Sequence, residues 1–321
     1  MVRPDAKDRI PPPRRGRRVR PAPPVIEKLV LASLPHVPRV LMRRLAARYI
    51  AGEKLEEAIA KLEELSRRGH PGILDILGEH VEDEAAARSV AGDYAVAAKA
   101  IADARLDAYV SVKPTHFGLG LDEELCFELY AGLAQRCREL RLFVRVEMED
   151  HPTTDATLRL FGRLRPRFDN VGIVLQSRLF RTPSDIEALP PGPLDVRLVK
   201  GIYLEPASIA HVDPEPIRSA YVDCARRLFA RGARVALATH DEALADRCLA
   251  AAREARIPPD RFELQVLLGV REELWKTWQS AGLRVRVYVP FGPEWRAYSQ
   301  RRLRKNPQIL KHVLRNAIGL D

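Results

Sequence analysis

The chain has 321 residues, 46% of them apolar and 30% charged, with a formal net charge of +10. That is long enough for one large domain or two ordinary ones, and no run of 18 apolar residues offers a membrane-spanning helix. The charge is concentrated: Arg3, Lys7, Arg9, Arg14, Arg15, Arg17, Arg18 and Arg20, against Asp5 and Asp8, place +6 of it in residues 1–20.

Residues 1–24 also hold Pro4, Pro11, Pro12, Pro13, Pro21, Pro23 and Pro24 and little apolar content, so they are expected to be a disordered basic tail. Such a tail suits an anionic surface, lipid headgroups or nucleic acid, or is simply solvated with no partner. No apolar core with a cleavage site follows it, so no secretory signal is expected. Residues 25–70 read as helical. Apolar residues recur three and four apart in VLMRRLAARYI and in LEEAIAKLEELSRRG, with Gly69 as a natural stop.

Residues 71–321 then alternate. Eight β-rich runs appear: 72–79 (GILDILGE), 107–117 (DAYVSVKPTHF), 142–150 (LFVRVEMED), 171–179 (VGIVLQSRL), 195–203 (DVRLVKGIY), 234–241 (RVALATHD), 261–269 (RFELQVLLG) and 284–292 (RVRVYVPFG). Helical stretches separate them. Thr182 with Pro183 and Asp185 predicts an N-cap and helix start, and Asp122, Glu123 and Glu124 put negative charge where a helix dipole favours it. Eight βα units predict a (β/α)8 barrel whose strands are apolar until their C-terminal ends. No GxGxxG or GxxxxGK[ST] argues for a doubly wound nucleotide fold instead.

From the second strand onward each run ends in polar groups: Lys113; Glu147 and Glu149; Gln176; Lys200 and Tyr203; Thr239, His240 and Asp241; Gln265; Tyr288. Barrel active sites form at that face. Lys113, flanked by apolar residues in VSVKP, is expected to point into the mouth and to find its counter-charge in Glu147 or Glu149. Gln176 and Gln265 in apolar strands need hydrogen-bond partners, which a heteroaromatic ligand could supply. His240 taken alone reads first as a satisfied core histidine, but its place in ATHD at the sixth strand end points to ligand contact. His211, His240 and His312 are far apart and no HExxH occurs, so no metal site is expected. Cys126, Cys137, Cys224 and Cys248 have no CxxC spacing and read as incidental thiols of a reduced, cytoplasmic protein. After the last strand, GPEWRAYSQRRLRKNP places Tyr298, Arg301 and Arg302 on one helical face, a fork for a carboxylate that can lie across the barrel mouth.

On VSVKPT, VEMED, VGIVLQ, RLVKGIY, ATHDE, FELQVLLG, YVPFG and YxxRRL, from about Tyr49 to Pro307, the chain resembles the proline dehydrogenases. The resemblance implies FAD in a barrel, a C-terminal helix over the substrate, and oxidation of L-proline to Δ1-pyrroline-5-carboxylate with electrons passed to membrane quinone. By position it implies Arg301 and Arg302 on the proline carboxylate. It also puts Leu267, Tyr288 and Tyr298 around the ring, Tyr203 nearby, and Lys113 beside the carboxylate, paired with Glu147. Gln176, Arg197, Lys200, Gly201, Thr239 and His240 would hold FAD, with Met148 contributing main chain. Two positions depart from the family: Glu147 stands where Asp is usual, its longer arm expected to shift Lys113, and Lys305 where Glu is usual. The length leaves no room for the aldehyde dehydrogenase module to which some members are fused, so a monofunctional enzyme is expected. The tail, or the helix holding Arg43 and Arg48, is the candidate for transient membrane contact. Competing readings are a hydroxyproline or other cyclic amino acid dehydrogenase, a Schiff-base aldolase using Lys113 or Lys200, and a nucleic-acid binder working through the tail.

Overall fold

A computed structural model describes residues 42–299, apart from 44, 45 and 297. They fall within one compact unit, Arg39–Ser299. The basic tail, the first predicted helical residues, Arg301, Arg302 and Lys305 lie outside the described residues.

Eight parallel strands close into a barrel in sequence order: β1 (Gly72–Ile76), β2 (Ala108–Val112), β3 (Val144–Val146), β4 (Val171–Gln176), β5 (Asp195–Val199), β6 (Arg234–Ala238), β7 (Phe262–Leu267) and β8 (Val285–Phe291). β8 returns to pair with β1, from Gly72 opposite Val287 to Ile76 opposite Phe291. Helix α1 (Leu55–Arg67) precedes β1, and its buried Ala58, Leu62 and Leu65 lie against β8 and β1. Gly69, at φ +77°, follows its end as the sequence predicts. The strands are then joined by α2 (Glu84–Asp103), α3 (Glu123–Glu139), α4 (Thr154–Leu164), α5 (Thr182–Ala188), α6 (Pro214–Ala230), α7 (Glu242–Glu254) and α8 (Glu272–Ser280). Asp122 caps α3, accepting from the Glu124 and Leu125 amides at 2.7 and 2.9 Å. Thr182 does not cap α5 as expected. It is the first helical residue, and its hydroxyl bonds the Gln176 carbonyl of β4 instead, so Arg181 takes the cap position. All four cysteines are buried, unbridged, and carried on α3, α6 and α7.

The strands are shorter than the runs that predict them. The second run is strand only to Val112, because Pro114 cannot donate to a ladder and opens a 3-10 turn over Pro114–Phe117.

The barrel interior corrects a further expectation. Apolar residues such as Val144, Val146, Val196, Leu198, Leu264 and Val287 belong to the core shared with the outer helices. The alternate, inward positions carry Arg145, Asp195, Arg197, Glu263 and Arg286. At the N-terminal end these form a floor of ion pairs. Arg145 meets Asp195 at 2.6 Å, and Arg234 bridges Asp195 at 3.0 Å and Glu263 at 2.8 Å. Arg286 joins Glu263 at 2.9 Å to Asp107 at 3.2 Å. Burial opposes ionisation of Glu263, but Arg286 and Arg234 outweigh it and hold its pKa at about 2. Barrel interiors are more often stacked layers of branched aliphatics. Here period-two alternation sends the aliphatics outward beneath the helices.

Candidate active site

Polar side chains converge at the C-terminal ends of the strands. Asp75, the fourth residue of β1, is 1% exposed, and both its oxygens lie 3.2 to 3.3 Å from Lys113 Nζ, just past β2. Tyr94 reaches from α2 behind them, its hydroxyl accepting from the Ile76 amide at 3.1 Å and lying 3.4 Å from Asp75 Oδ1. Glu147, just past β3, accepts from Arg197 Nη1 at 2.5 Å, from the Ser111 hydroxyl at 2.5 Å and from the Tyr288 hydroxyl at 3.2 Å, all on Oε1. Arg197 also donates Nε to Gln265 at 2.7 Å and lies 5.3 Å from the Tyr288 ring centre.

The expected Lys113–Glu147 pair is therefore not the one formed. Arg197, Ser111 and Tyr288 together take the near oxygen of Glu147, and Lys113 turns to β1. The longer arm of Glu147 accordingly does not set where Lys113 lies. Glu149 is taken as well, by the amide and hydroxyl of Thr115 at 2.9 and 2.7 Å.

Charges at this mouth are coupled. Burial pulls the Lys113 pKa down, but Asp75, Glu147 and Glu79 more than offset it and keep the ammonium protonated above its usual range. Burial raises Asp75, which Lys113 offsets only in part. Both shifts favour the protonated form, for different reasons: burial for Asp75, and the surrounding carboxylates for Lys113. Burial likewise opposes ionisation of Glu147, yet Arg197, Ser111 and Lys113 win and hold its pKa low.

A second group lines the β4 to β7 side. Gln176 Nε2 donates to the Glu149 carbonyl at 2.6 Å, while its buried Oε1 has no hydrogen-bond partner among the described residues. Gly201 faces that oxygen at φ +102°, and a Cβ there would stand 2.8 Å from it. A buried acceptor kept clear by a glycine in a backbone region closed to other residues fits a donor brought by a ligand. Lys200 meets Asp241 at 2.9 Å, Arg218 meets the same oxygen at 2.7 Å, and the Asp241 amide donates to Thr239 Oγ1 at 3.1 Å. His240 Nε2 accepts the Leu267 amide at 3.1 Å, so in the neutral ring the proton sits on Nδ1. Met148 is buried among apolar residues, leaving only its backbone for a polar ligand. Arg178 bonds the Tyr203 carbonyl, and burial raises the Tyr203 phenol.

The structure thus brings Lys113, Glu147, Arg197 and Tyr288 into one cluster, Gln176 against Gly201, Lys200 beside Thr239 through Asp241, and His240 against Leu267. Burial first, then Asp75 and Glu147, push the Tyr288 phenol well up, and Tyr298 adds a smaller push in the same direction. The carboxylate fork, Arg301 and Arg302, lies outside the described residues. Asp75, Tyr109 and Ser111 were not singled out by sequence reasoning. The available signal was a polar residue inside each of the runs GILDI and AYVSV. Among the described residues, no group of three or more His, Cys, Asp or Glu could hold a metal ion, and no helix is long and apolar enough to cross a membrane.

A closed parallel barrel with charged and amide side chains gathered at its C-terminal mouth defines an enzyme of the (β/α)8 class. Comparison with known proteins narrows the class. The family model for proline dehydrogenase matches residues 58–314. "Proline dehydrogenase" of Deinococcus radiodurans is 34% identical over 298 residues, 90% of this chain and 96% of that one. "Proline dehydrogenase 1" of Bacillus subtilis subsp. natto is 33% identical over 273 residues, 85% of this chain and 90% of that one. Among solved structures, proline utilization A from Bdellovibrio bacteriovorus, inactivated by N-propargylglycine, superposes with a TM-score of 0.75 at 25% identity over 81% of this chain. The chain spans about a third of that longer protein, 32%. The chain belongs to the proline dehydrogenase family, oxidoreductases acting on the CH–NH group of proline.

Proposed function

We propose that this enzyme oxidises L-proline to Δ1-pyrroline-5-carboxylate with FAD held at the barrel mouth, working in the cytoplasm and delivering electrons to quinone at the inner face of the membrane. The observation that carries the reading is the buried Gln176 Oε1, facing Gly201 and without a hydrogen-bond partner among the described residues, at the same strand-end face as the Asp75–Lys113 and Glu147–Arg197 pairs. FAD would supply the acceptor for the two electrons and the hydrogen that leave the carbon beside the proline nitrogen. Gln176, Arg197, Lys200, Gly201, Thr239, His240 and the Met148 backbone are the residues that would hold it.

This chain's own part is to bind, orient and exclude water. Arg301 and Arg302 grip the substrate carboxylate, and Lys113 adds a third cation beside it. Leu267, Tyr288 and Tyr298 wall the ring, with Tyr203 alongside, and the Tyr288 hydroxyl is steadied by Glu147 at 3.2 Å. Proline must shed its extra amine proton before the carbon next to it gives up hydride, so turnover rises with pH. The aldolase alternative is disfavoured at Lys113: three carboxylates keep its amine protonated, whereas a Schiff base needs it neutral.

The test is a visible spectrum of the purified protein before and after proline. A flavin spectrum that bleaches with proline, more slowly with hydroxyproline, is expected. A colourless protein, or one whose spectrum ignores proline, refutes the reading. The membrane step is tested separately: removing residues 1–24 lowers binding to anionic liposomes, and unchanged binding rejects the tail as the contact.

A further inference from the structure

The charged floor of the barrel and its mouth meet in Gln265. This side chain stands on β7, 3% exposed, between the inward-facing Glu263 and Leu267. Its amide has two different ends, and both are used. Nε2 donates to Glu263 Oε1 at 2.6 Å and to the Tyr109 hydroxyl at 2.9 Å. Oε1 accepts from Arg197 Nε at 2.7 Å. A reversed amide would set oxygen against the Glu263 carboxylate and NH2 against the Arg197 N–H, two repulsions in place of two bonds. Glu263 cannot turn away to accommodate this, because Arg234, Arg284 and Arg286 hold it at 2.8, 3.1 and 2.9 Å. The Tyr109 hydroxyl closes the arrangement, accepting from Gln265 and from Arg197 Nη2 at 3.3 Å.

The consequence lies at the other end of the guanidinium. An arginine side chain has four soft torsions, and a charge-assisted bond at Nε fixes the plane of the group. With Nε on Gln265 and Nη2 on Tyr109, Nη1 is left facing Glu147 at 2.5 Å. Glu147 in turn receives the Tyr288 hydroxyl.

We propose that Gln265, locked in one amide orientation by Glu263 and Tyr109, is a positioning residue that sets the plane of Arg197 and through it the places of Glu147 and Tyr288. The proposal rests on the proline-oxidising reading above. Among the described residues the Gln265 amide bonds Glu263, Tyr109 and Arg197, and not the Gln176 acceptor. Its loss therefore disturbs alignment at the reacting centre more than capture of substrate.

The experiment uses the flavin-loaded enzyme and Gln265→Met, which keeps length and removes both bonding ends. The expected result is a kcat about tenfold or more lower with the proline KM changed less than about threefold, and a shifted flavin absorption band. In a Glu147→Gln background the same substitution costs less than about twofold, because the two residues act along one chain of contacts. Tyr109→Phe, which removes one hydroxyl and little volume, gives a smaller loss of the same kind and serves if Gln265→Met does not fold. In nitrogen-labelled arginine spectra the Arg197 Nε–H is protected from exchange in the unaltered protein and loses that protection in Gln265→Met. This readout needs no turnover. An unaltered protein that neither binds flavin nor oxidises proline rejects the functional reading and leaves the exchange measurement to judge Gln265. An active protein in which Gln265→Met and Tyr109→Phe keep kcat and spectrum overturns the proposal. So do losses that multiply with Glu147→Gln, or an unchanged Arg197 exchange rate.

Discussion

Replacing Asp75 by Asn tests the central charge arrangement of the mouth. The substitution keeps size and removes the nearest counter-charge of Lys113, whose side chain is 15% exposed beside a carboxylate that is 2% exposed. Breaking one partner of a buried pair costs about 3–5 kcal/mol. Glu147 and Glu79 continue to act on Lys113, and burial disfavours the ionised form of Asp75 itself, so the net cost at neutral pH is well below that range, about 1 kcal/mol. For a domain of this size that lowers Tm by about 2 °C. The pH dependence follows from the directions of the shifts. Lys113 has a raised folded pKa, so its stabilising pair is fully present below the unfolded lysine value of about 10.4 and is lost as pH rises through the folded value. In Asp75→Asn the opposing burial is less compensated and Lys113 loses its proton earlier. The gap between the two proteins therefore narrows through alkaline pH. Asp75 has a raised folded pKa, so its own contribution is present below the unfolded aspartate value of about 3.9 and lost as pH rises through the folded value, which works against the pair at neutral pH. Thermal unfolding of both flavin-loaded proteins across this range is the assay. Equal Tm at neutral pH, or a gap that ignores pH, refutes the assignment of Asp75 as the partner of Lys113.

Three further outcomes are expected. Arg301→Ala raises the proline KM by about tenfold or more while flavin stays bound, a loss of about 1.4 kcal/mol or more of ground-state binding; an unchanged KM removes the carboxylate fork. Gly201→Ala forces a side chain into φ +102° and against Gln176 Oε1, costing about 1–3 kcal/mol, and the ratio of flavin to protein absorbance after purification falls. Asp241, raised by burial but lowered more strongly by Lys200 and Arg218, has a pKa of about 2. Its stabilisation is present above about pH 4 and lost as pH falls toward about 2. Because both cations are about a third exposed, Asp241→Asn costs only about 1 kcal/mol at pH 7 by urea unfolding, and the difference shrinks at pH 3.

Sequence alone exposes the barrel because two periods coexist: alternation within runs and helical spacing between them. The polar strand ends are legible for the same reason. Lys113, Gln176, Lys200 and His240 each interrupt an apolar run at its end. The interior charges were hidden by the very alternation that reveals strands. In VRV, DVRLV and FELQVL the aliphatics face the helices, and counting them as interior filling masks Arg145, Arg197 and Glu263. Asp75 was passed over because the first run extends to Glu79, which makes Asp75 look central, whereas β1 stops at Ile76 and leaves it near the mouth. The pairing of Lys113 could not be read from strand adjacency. β1 and β3 both flank β2, and the choice depends on Arg197, which approaches Glu147 from across the barrel.

The floor of ion pairs bears on how the barrel assembles. Arg145 on β3 finds its carboxylate on β5, and Asp107, before β2, finds its guanidiniums beside and on β8. Cutting the chain between β4 and β5 would leave Arg145 and Asp107 in one fragment without these ionic partners, and an excess of cations in the other. Neither half can bury its own inner face, so closure is all-or-none and fragment complementation between half-barrels should be poor. Exchanging a single strand with a relative would fail for the same reason unless its cross-barrel partners travelled with it.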